Sequence, residues 1–412
     1  MRIQRAEGIW ERREPAAAVE EQVREILAKV REGGDRAVLR LTARFDKAEL
    51  GPDELRVDPR EVEASLGVLE PEVLQALRGA MANVRAVAEV QLWDPIDLAL
   101  EAGQRVEVMD LPVRRAGIYV PAGRASYPST LVMCAVTARA AGVEQVAVCA
   151  PPGPGGRADP VILGACVLCE VNEGYRMGGA QAVAALAYGT ESVPAVDVIV
   201  GPGNAYVQEA KRQLVGRVGI DGIAGPSELA VVATVGADPE LVALDLLAQA
   251  EHGEESPLWL ISPDEELLGA VVAAVERLAP ERPSAADAEL QAVLVDEART
   301  ALRLADEIAP EHLELVGAEA EALAERVRAA GCLFIGSQAG TAFGDYVAGS
   351  NHVLPTGRAA RYQGALSPAT FRRRMARVSL PGEAAARLAP AGAALARAEG
   401  FPVHAESMER RA

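Results

Sequence analysis

Histidine and lysine are the scarce residues of this 412-residue chain: four histidines, His252, His312, His352 and His404, and three lysines, Lys29, Lys47 and Lys211. With Lys+Arg at 41, nearly all positive charge is arginine, so a Schiff-base or phosphate-loop lysine has almost nowhere to sit. Basic charge is itself in deficit, since Asp+Glu reach 59 and the formal net charge is −18. That excess argues against a nucleic-acid or anionic-membrane partner, whose phosphates need a basic face. Long apolar runs are missing too. No charge-free stretch reaches membrane-spanning length, and the opening MRIQRAEGIWERREP has no apolar leader core, so a soluble cytoplasmic protein is expected. The five cysteines, Cys134, Cys149, Cys166, Cys169 and Cys332, are odd in number and lie mostly in apolar runs, which predicts reduced buried thiols in place of a disulfide framework. Cys166 and Cys169 have a C-x-x-C spacing, but within an apolar helical pattern with no second pair nearby, and read as core.

What is present is ample apolar material, 50% hydrophobic residues against 24% charged, in a length that suggests two or three domains. Apolar residues at three-and-four spacing predict helices over 16–31, 35–45 and 71–92. From residue 117 strands and helices alternate: strands at GIYVP, QVAVCAP and VDVIVGPG, with helices over 130–141, 161–169, 180–188 and 204–215. A second set follows, with strands at ELAVVAT, PLWLISP, AVLVD, EHLELVG and CLFIG and helices over 239–252, 264–278, 297–308 and 318–330. Such alternation indicates parallel sheets covered on both faces, and two units in tandem imply a cleft between them, beyond the carboxyl ends of strands. The basic FRRRMARVSL reads as a solvated or subunit-facing helix, followed by an Ala-rich helix to Glu399. That last segment is too small to be a domain and is expected to pack on something else.

Chemistry-bearing residues cluster in short motifs. Gln249 and His252, near the end of LVALDLLAQAEHG, share a helix face at a separation that can hold one metal; a helix-terminal histidine favoured by the macrodipole explains the same residues. Glu311 and His312 in IAPEHLELV put an acid and an imidazole together at a strand entrance, which suits a reaction with two different proton transfers; a solvated pair at a strand edge is the alternative. A Gly-rich loop over 336–357 carries Asp345, a hard oxygen donor, and His352, while EGFPVHAE adds Glu399 and His404. Gln, His, Asp and His form an N/O donor set without thiolate, compatible with Zn²⁺ or a similar divalent ion. GIYVPAGRASYPST and VIVGPGNAYVQEA are the dinucleotide candidates; GPGN opens a helix at Asn204, although GxGxxG is absent.

GIYVPAG, GGAQAVAALAYGT, VDVIVGPGNAYV, GIDGIAGPSEL, LLAQAEHG, IAPEHLEL, FGDYVAGSNHVLPT and EGFPVHAE, in this order and spacing, resemble the histidinol dehydrogenase family, over most of the chain from about Thr42 to His404. The resemblance implies an α/β fold of two Rossmann-like, incomplete doubly wound lobes over 106–224 and 225–365. It implies a helical N-terminal region over 1–105 packing on the second lobe, and a small dimerisation tail over 366–412. It implies NAD-dependent, four-electron oxidation of L-histidinol through L-histidinaldehyde to L-histidine, with one Zn²⁺ per subunit held by Gln249, His252, Asp345 and His404. Glu311 and His312 would be the catalytic pair. Substrate contacts would be Ser227, Gln249, His252, His312, Asp345, His352, Glu399 and His404, and NAD contacts Tyr119, Gln181 and Asn204. An intertwined cytoplasmic homodimer, with no nucleic-acid or membrane partner, is implied as well. Ala122, Cys134, Val198 and Arg358 depart from the usual pattern, none of them at a proposed ligand or base. A zinc-dependent hydrolase with Glu311 as general base would use the same residues, and a binding protein without turnover is a third reading.

Overall fold

The computed structural model describes residues 2–5, 17–121, 126–285 and 288–412, so Ala122 lies outside the described residues. The chain begins with β1 (Arg2–Arg5), α1 (Ala17–Phe45), α2 (Pro59–Ser65), α3 (Pro71–Glu89), β2 (Ile96–Ala99) and β3 (Arg105–Pro112). The first lobe is β4 (Arg115–Tyr119), α4 (Pro128–Ala140), β5 (Gln145–Ala150), α5 (Pro160–Leu168), β6 (Glu173–Arg176), α6 (Gly179–Tyr188), β7 (Val198–Val200), α7 (Ala205–Leu214) and β8 (Gly219–Ile220). The second is β9 (Leu229–Ala233), α8 (Pro239–Ala250), β10 (Pro257–Ser262), α9 (Glu265–Leu278), β11 (Glu289–Leu294), α10 (Ala298–Ile308), β12 (His312–Val316), α11 (Ala318–Glu321), β13 (Cys332–Ile335) and α12 (Thr341–Tyr346). The C-terminal segment supplies β14 (Arg372–Ser379), α13 (Gly382–Ala398) and α14 (Pro402–Glu409). Helix starts follow local chemistry: the side chains of Asp159, Asn204, Asp238 and Asp264 accept first-turn amides of α5, α7, α8 and α9.

Both lobes are parallel sheets, as the alternation predicts. The first has the order β6-β5-β4-β7-β8 and the second β1-β11-β10-β9-β12-β13. Leaving β1 aside, each lobe reads 3-2-1-4-5 in its own chain order, and each therefore reverses direction between its first and fourth strands. In the first lobe the end of that junction carries Tyr119 and the Gly201–Asn204 turn. In the second it carries Gly317. A Cβ on Gly317 would stand 2.5 Å from the carbonyl oxygen of Thr234, whose hydroxyl receives the Ala320 N–H at 3.2 Å.

Several expectations are corrected. The N-terminal helices pack mainly on the first lobe and not the second: α1 lies on α6 and α7, α2 on α5 and α3 on α4, while β1 crosses to pair with β11 and Asn83 of α3 donates to the Val347 carbonyl at 2.8 Å. The cause is in the sequence of α4 and α6, whose residues are buried nearly all round and so demand an outer layer. Val23, Ile26, Leu27, Val30, Val38 and Leu41 of α1 cover α6. FRRRMARVSL is strand β14, not a helix. It pairs antiparallel with β3 and forms a three-stranded sheet with β2, in a register that sets Arg374 opposite Asp110 and Arg377 opposite Glu107. Those cross-strand ion pairs use the arginines that read as solvated when the segment is viewed alone. The helix expected over 318–330 is one turn, α11, and a 3₁₀ turn at Ala324–Arg326. The Gly-rich loop contains the helix α12. Four cysteines are buried and Cys332 is half-buried, all of them free thiols, and burial pushes Cys169 up to about 12. Among the described residues no helix is long and apolar enough to cross a membrane.

Phe371, fully buried at the foot of β14, ties the C-terminal segment into the first-lobe core with Val132, Val136 and Val146. Phe371→Ala is expected to cost about 3–5 kcal/mol of stability, read as a drop in the midpoint of chemical denaturation.

Candidate active site

Eight residues, 221–228, lead from β8 to β9. The carboxyl end of the first sheet therefore meets the amino end of the second, and the polar residues gather there. Ser227 and Glu228 lie just before β9, Glu311 and His312 at the entrance of β12, and Gln249 and His252 at the close of α8, which runs back toward that end. Asp345 arrives on α12, and His352 on the loop after it. This corrects the expectation of a cleft beyond carboxyl ends: that holds for the first lobe, whereas the second offers its amino ends.

Glu311 and His312 are both buried, at 7% and 2% exposure. The Glu311 carboxylate oxygen Oε2 accepts from Ser227 Oγ and from the Glu228 N–H at 2.9 Å. Ser227 in turn receives Gln249 Nε2 at 2.6 Å, so the nitrogen of that buried amide is committed. His312 Nδ1 lies 3.0 Å from the Glu228 carbonyl oxygen; since a carbonyl only accepts, Nδ1 carries the proton and Nε2 is the atom turned to chemistry. Nε2 stands 3.6 Å from Asp345 Oδ1, and the other oxygen of Asp345 is 3.8 Å from His252 Nε2. His352 donates from Nδ1 to the Asp345 carbonyl at 2.7 Å, and its Nε2 is 3.4 Å from Thr130 Oγ1 on α4, so the two lobes touch at this ring.

The electrostatics follow from crowding acids and imidazoles in a buried space. Burial pushes the Glu311 carboxyl up, with His312 opposing. Burial also disfavours charge on the His312 ring, yet Glu311 and Asp345 facing it outweigh that and carry its pKa up to about 9. Asp345 goes the other way: burial raises it, but His252 and His312 together hold it well below the usual carboxylate range. Burial holds His352 neutral, its pKa below the usual imidazole value.

Residues with no motif of their own hold the site in shape. Glu314, two positions after His312 on the same face of β12, accepts both the N–H and the hydroxyl of Thr341 at 2.9 and 2.6 Å, and so anchors the first turn of the helix that presents Asp345. Burial and the neighbouring Asp245 charge push Glu314 up to about 7, and burial pushes Asp245 up to about 6, so this pair shares a proton near neutral pH. Asp245 sits one turn before Gln249 on α8. Spacing was the only signal for these two: i+2 in a strand for Glu314 and i−4 in a helix for Asp245.

Among the residues expected to touch a dinucleotide, Tyr119 is buried and its hydroxyl accepts the Gly179 N–H at 3.1 Å. Asn204 is exposed and caps α7 through Oδ1. Gln181 is buried, its Nε2 donating to Asp46 at 3.2 Å. Glu399 and His404 are not brought to the site. They lie exposed on the α13–α14 hairpin, whose main packing partner is itself, with His404 against Phe401 at 5.3 Å between ring centroids. Among the described residues no three of His, Cys, Asp and Glu converge to hold a metal within one chain. Gln249, His252 and Asp345 are thus an incomplete donor set.

The chain matches the family described as histidinol dehydrogenase over residues 10–412. It is 47% identical to histidinol dehydrogenase from Cereibacter sphaeroides over 406 residues, which covers 97% of this chain and 93% of that protein. Histidinol dehydrogenase from Zymomonas mobilis is 44% identical over 407 residues, covering 97% and 94%. A crystal structure of histidinol dehydrogenase from Elizabethkingia anophelis superposes with a TM-score of 0.91 at 30% identity, covering 98% of this chain and 94% of that one.

Four histidines make the ring titrations resolvable by NMR. In protein stripped of cations the His312 ring is expected to titrate near pH 9, and Asp345→Asn to lower that midpoint by about 1 pH unit or more. A pKa raised in the folded state stabilises below the unfolded value of 6.5, and the benefit is lost as pH rises through about 9. Denaturation midpoints should fall across that window in the unaltered chain, and less in Asp345→Asn.

Proposed function

The chain belongs to the histidinol dehydrogenase family, oxidoreductases of histidine biosynthesis that oxidise histidinol, and on that premise we propose an NAD⁺-dependent, Zn²⁺-assisted, four-electron oxidation of L-histidinol through L-histidinaldehyde to L-histidine. The observation that carries this reading is the buried Glu311–His312 pair, held by Ser227, Glu228 and Asp345 beside Gln249 and His252.

Two bases of different kind match a reaction with two different deprotonations. In the first half, the neutral form of His312, which would be favoured once a bound cation engages the Asp345 carboxylate that otherwise holds the ring charged, takes the hydroxyl proton at Nε2 as the carbinol carbon gives a hydride to NAD⁺, leaving the aldehyde and NADH. In the second, Glu311 takes a proton from the water that adds to the aldehyde carbon. The resulting gem-diol gives its remaining hydride to a second NAD⁺ and becomes the carboxylate. Oε2 of Glu311 is engaged by two donors, which leaves Oε1 to receive the proton. NAD⁺ supplies the hydride acceptor, and the strand-order reversal of the first lobe, at Tyr119, Gly201 and Asn204, is where it would lie.

The donors present fit a divalent cation. Gln249 has its nitrogen bound to Ser227 and so has an oxygen to offer, and His252 and Asp345 already face one another. When bound, the ion would orient the imidazole and amino nitrogens of the substrate. His404 would complete the set and Glu399 and His352 would contact substrate. His404 and Glu399 would then come from a second copy. The exposed apolar residues Ile96, Leu98, Val378, Leu380, Leu395, Phe401 and Val403, on β2, β14 and the hairpin or beside them, support an intertwined homodimer. A cytoplasmic location fits the unpaired, mostly buried cysteine thiols.

Purified, Zn²⁺-loaded protein is expected to form about two NADH per L-histidinol and to lose this on chelation; no NADH from either histidinol or histidinaldehyde would sink the reading. Glu311→Gln should depress aldehyde oxidation by about 10²–10⁴-fold and spare the alcohol step more, whereas His312→Gln should depress the alcohol step at least as much. The origin of His404 is read from mixed dimers. Co-expressed His404→Ala and Asp345→Asn chains, each inactive alone, should regain activity if His404 acts across the interface, and none if it acts within its own chain.

A further inference from the structure

Lys211 is one of three lysines in the chain and is buried at 1% exposure. Its ammonium on α7 donates to Asp221 Oδ1 at 2.6 Å and to the Gly201 carbonyl oxygen at 2.6 Å. Oδ2 of the same aspartate accepts the Gly201 N–H at 2.7 Å. One ion pair thus satisfies both backbone polar groups of one glycine. That glycine is under two constraints: its φ is +111°, and a Cβ there would stand 2.1 Å from the Tyr119 carbonyl oxygen. It is pressed against the end of β4, at the strand-order reversal of the first lobe.

Stability alone does not explain the arrangement. Removing an ammonium and a carboxylate from water costs several kcal/mol each, and well-packed apolar replacements of such pairs are often as stable. What an apolar pair cannot do is hold a particular peptide by both its polar groups. The surroundings point the same way: Gln208, one turn before Lys211 on α7, accepts the Ala224 N–H at 2.9 Å, and Gln363 donates to the Asp221 carbonyl at 2.5 Å. The floor of the crevice and the 221–228 connection to Ser227 are therefore braced from one point.

We propose that Lys211, through its ion pair with Asp221, is a positioning residue that holds the Gly201 peptide in the shape the dinucleotide crevice of the first lobe requires. The role rests on the reading of that crevice as the NAD site. Lys211 touches neither substrate nor cofactor and acts through Gly201.

The test compares Lys211→Met with the unaltered Zn²⁺-loaded protein by NADH fluorescence titration and by separate KM determinations. NADH affinity is expected to fall, and KM for NAD⁺ to rise, by about tenfold or more, with KM for histidinol and the bound Zn²⁺ content unchanged. Equal rises in both KM values, or no change in either, overturn the positioning role, since a merely structural brace would spread its loss over both lobes. Should Lys211→Met not accumulate in folded form, Asp221→Asn carries the same comparison, because it keeps an oxygen for the Gly201 N–H while removing the charge that pairs with Lys211. The same split is expected there at smaller size, and its absence overturns the proposal. Unaltered protein that binds no NADH overturns the crevice reading and the proposal with it. Unaltered protein that binds NADH, beside a folded variant that binds it equally well, overturns the positioning role alone.

Discussion

Between Ile220, where β8 ends, and Leu229, where β9 begins, the chain has eight residues with which to change sheets. Fully extended they reach at most about 29 Å, so the second sheet must start close to where the first one stops. The buried acids and imidazoles of the candidate site answer to that junction. Residues at strand entrances of the second lobe face residues at strand exits of the first, and the 221–228 segment is pinned by Lys211, Gln208 and Gln363 before it delivers Ser227 and Glu228 to Glu311 and His312. A longer connection would leave the same side chains present but would not fix their separations.

At the junction the protein concentrates ionisable groups that would repel or stay hydrated if they were placed singly. Glu311, His312, Asp345 and His252 share charge through contacts of 3.6–3.8 Å, and the Asp245–Glu314 pair behind them shares a proton. The net effect is a site whose pKa values are set by neighbours, with the two bases of the proposed reaction pushed in the same direction by different causes: Glu311 by burial, His312 by the carboxylates around it. His312 owes its tautomer to a backbone carbonyl, a feature no side-chain substitution removes directly.

Much of this is legible in the sequence. The two alternating sets of strands and helices follow from apolar periodicity, and the chemistry-bearing residues stood out because histidine is rare and each one falls in a short polar motif. What escaped had physical reasons. β6 and β8 have four and two residues and too little pattern to detect. The pairing of β14 with β3 joins segments some 260 residues apart, and no local window contains both partners of its cross-strand charge pairs. Which lobe the N-terminal helices cover is not legible in their sequence, because amphipathicity says that a helix face must be covered, not by what. Glu314 and Asp245 resemble ordinary polar decoration of a strand and a helix until the fold places them back to back. Glu399 and His404 sit in a recognisable motif, yet a single chain leaves them in solvent.

The two lobes share a strand order, yet they fasten the turn at its reversal by different chemistry. In the second lobe the Gly317 amide is bonded to the Glu321 carboxylate at 3.0 Å and the Ala320 amide to the Thr234 hydroxyl at 3.2 Å. In the first, the Gly201 amide and carbonyl are both held by one buried ion pair, Asp221 with Lys211. Loss of either member of that pair would leave the other charge buried and uncompensated. The second lobe carries no such liability at Gly317, so two turns of equal topology differ in how much a single substitution can cost them.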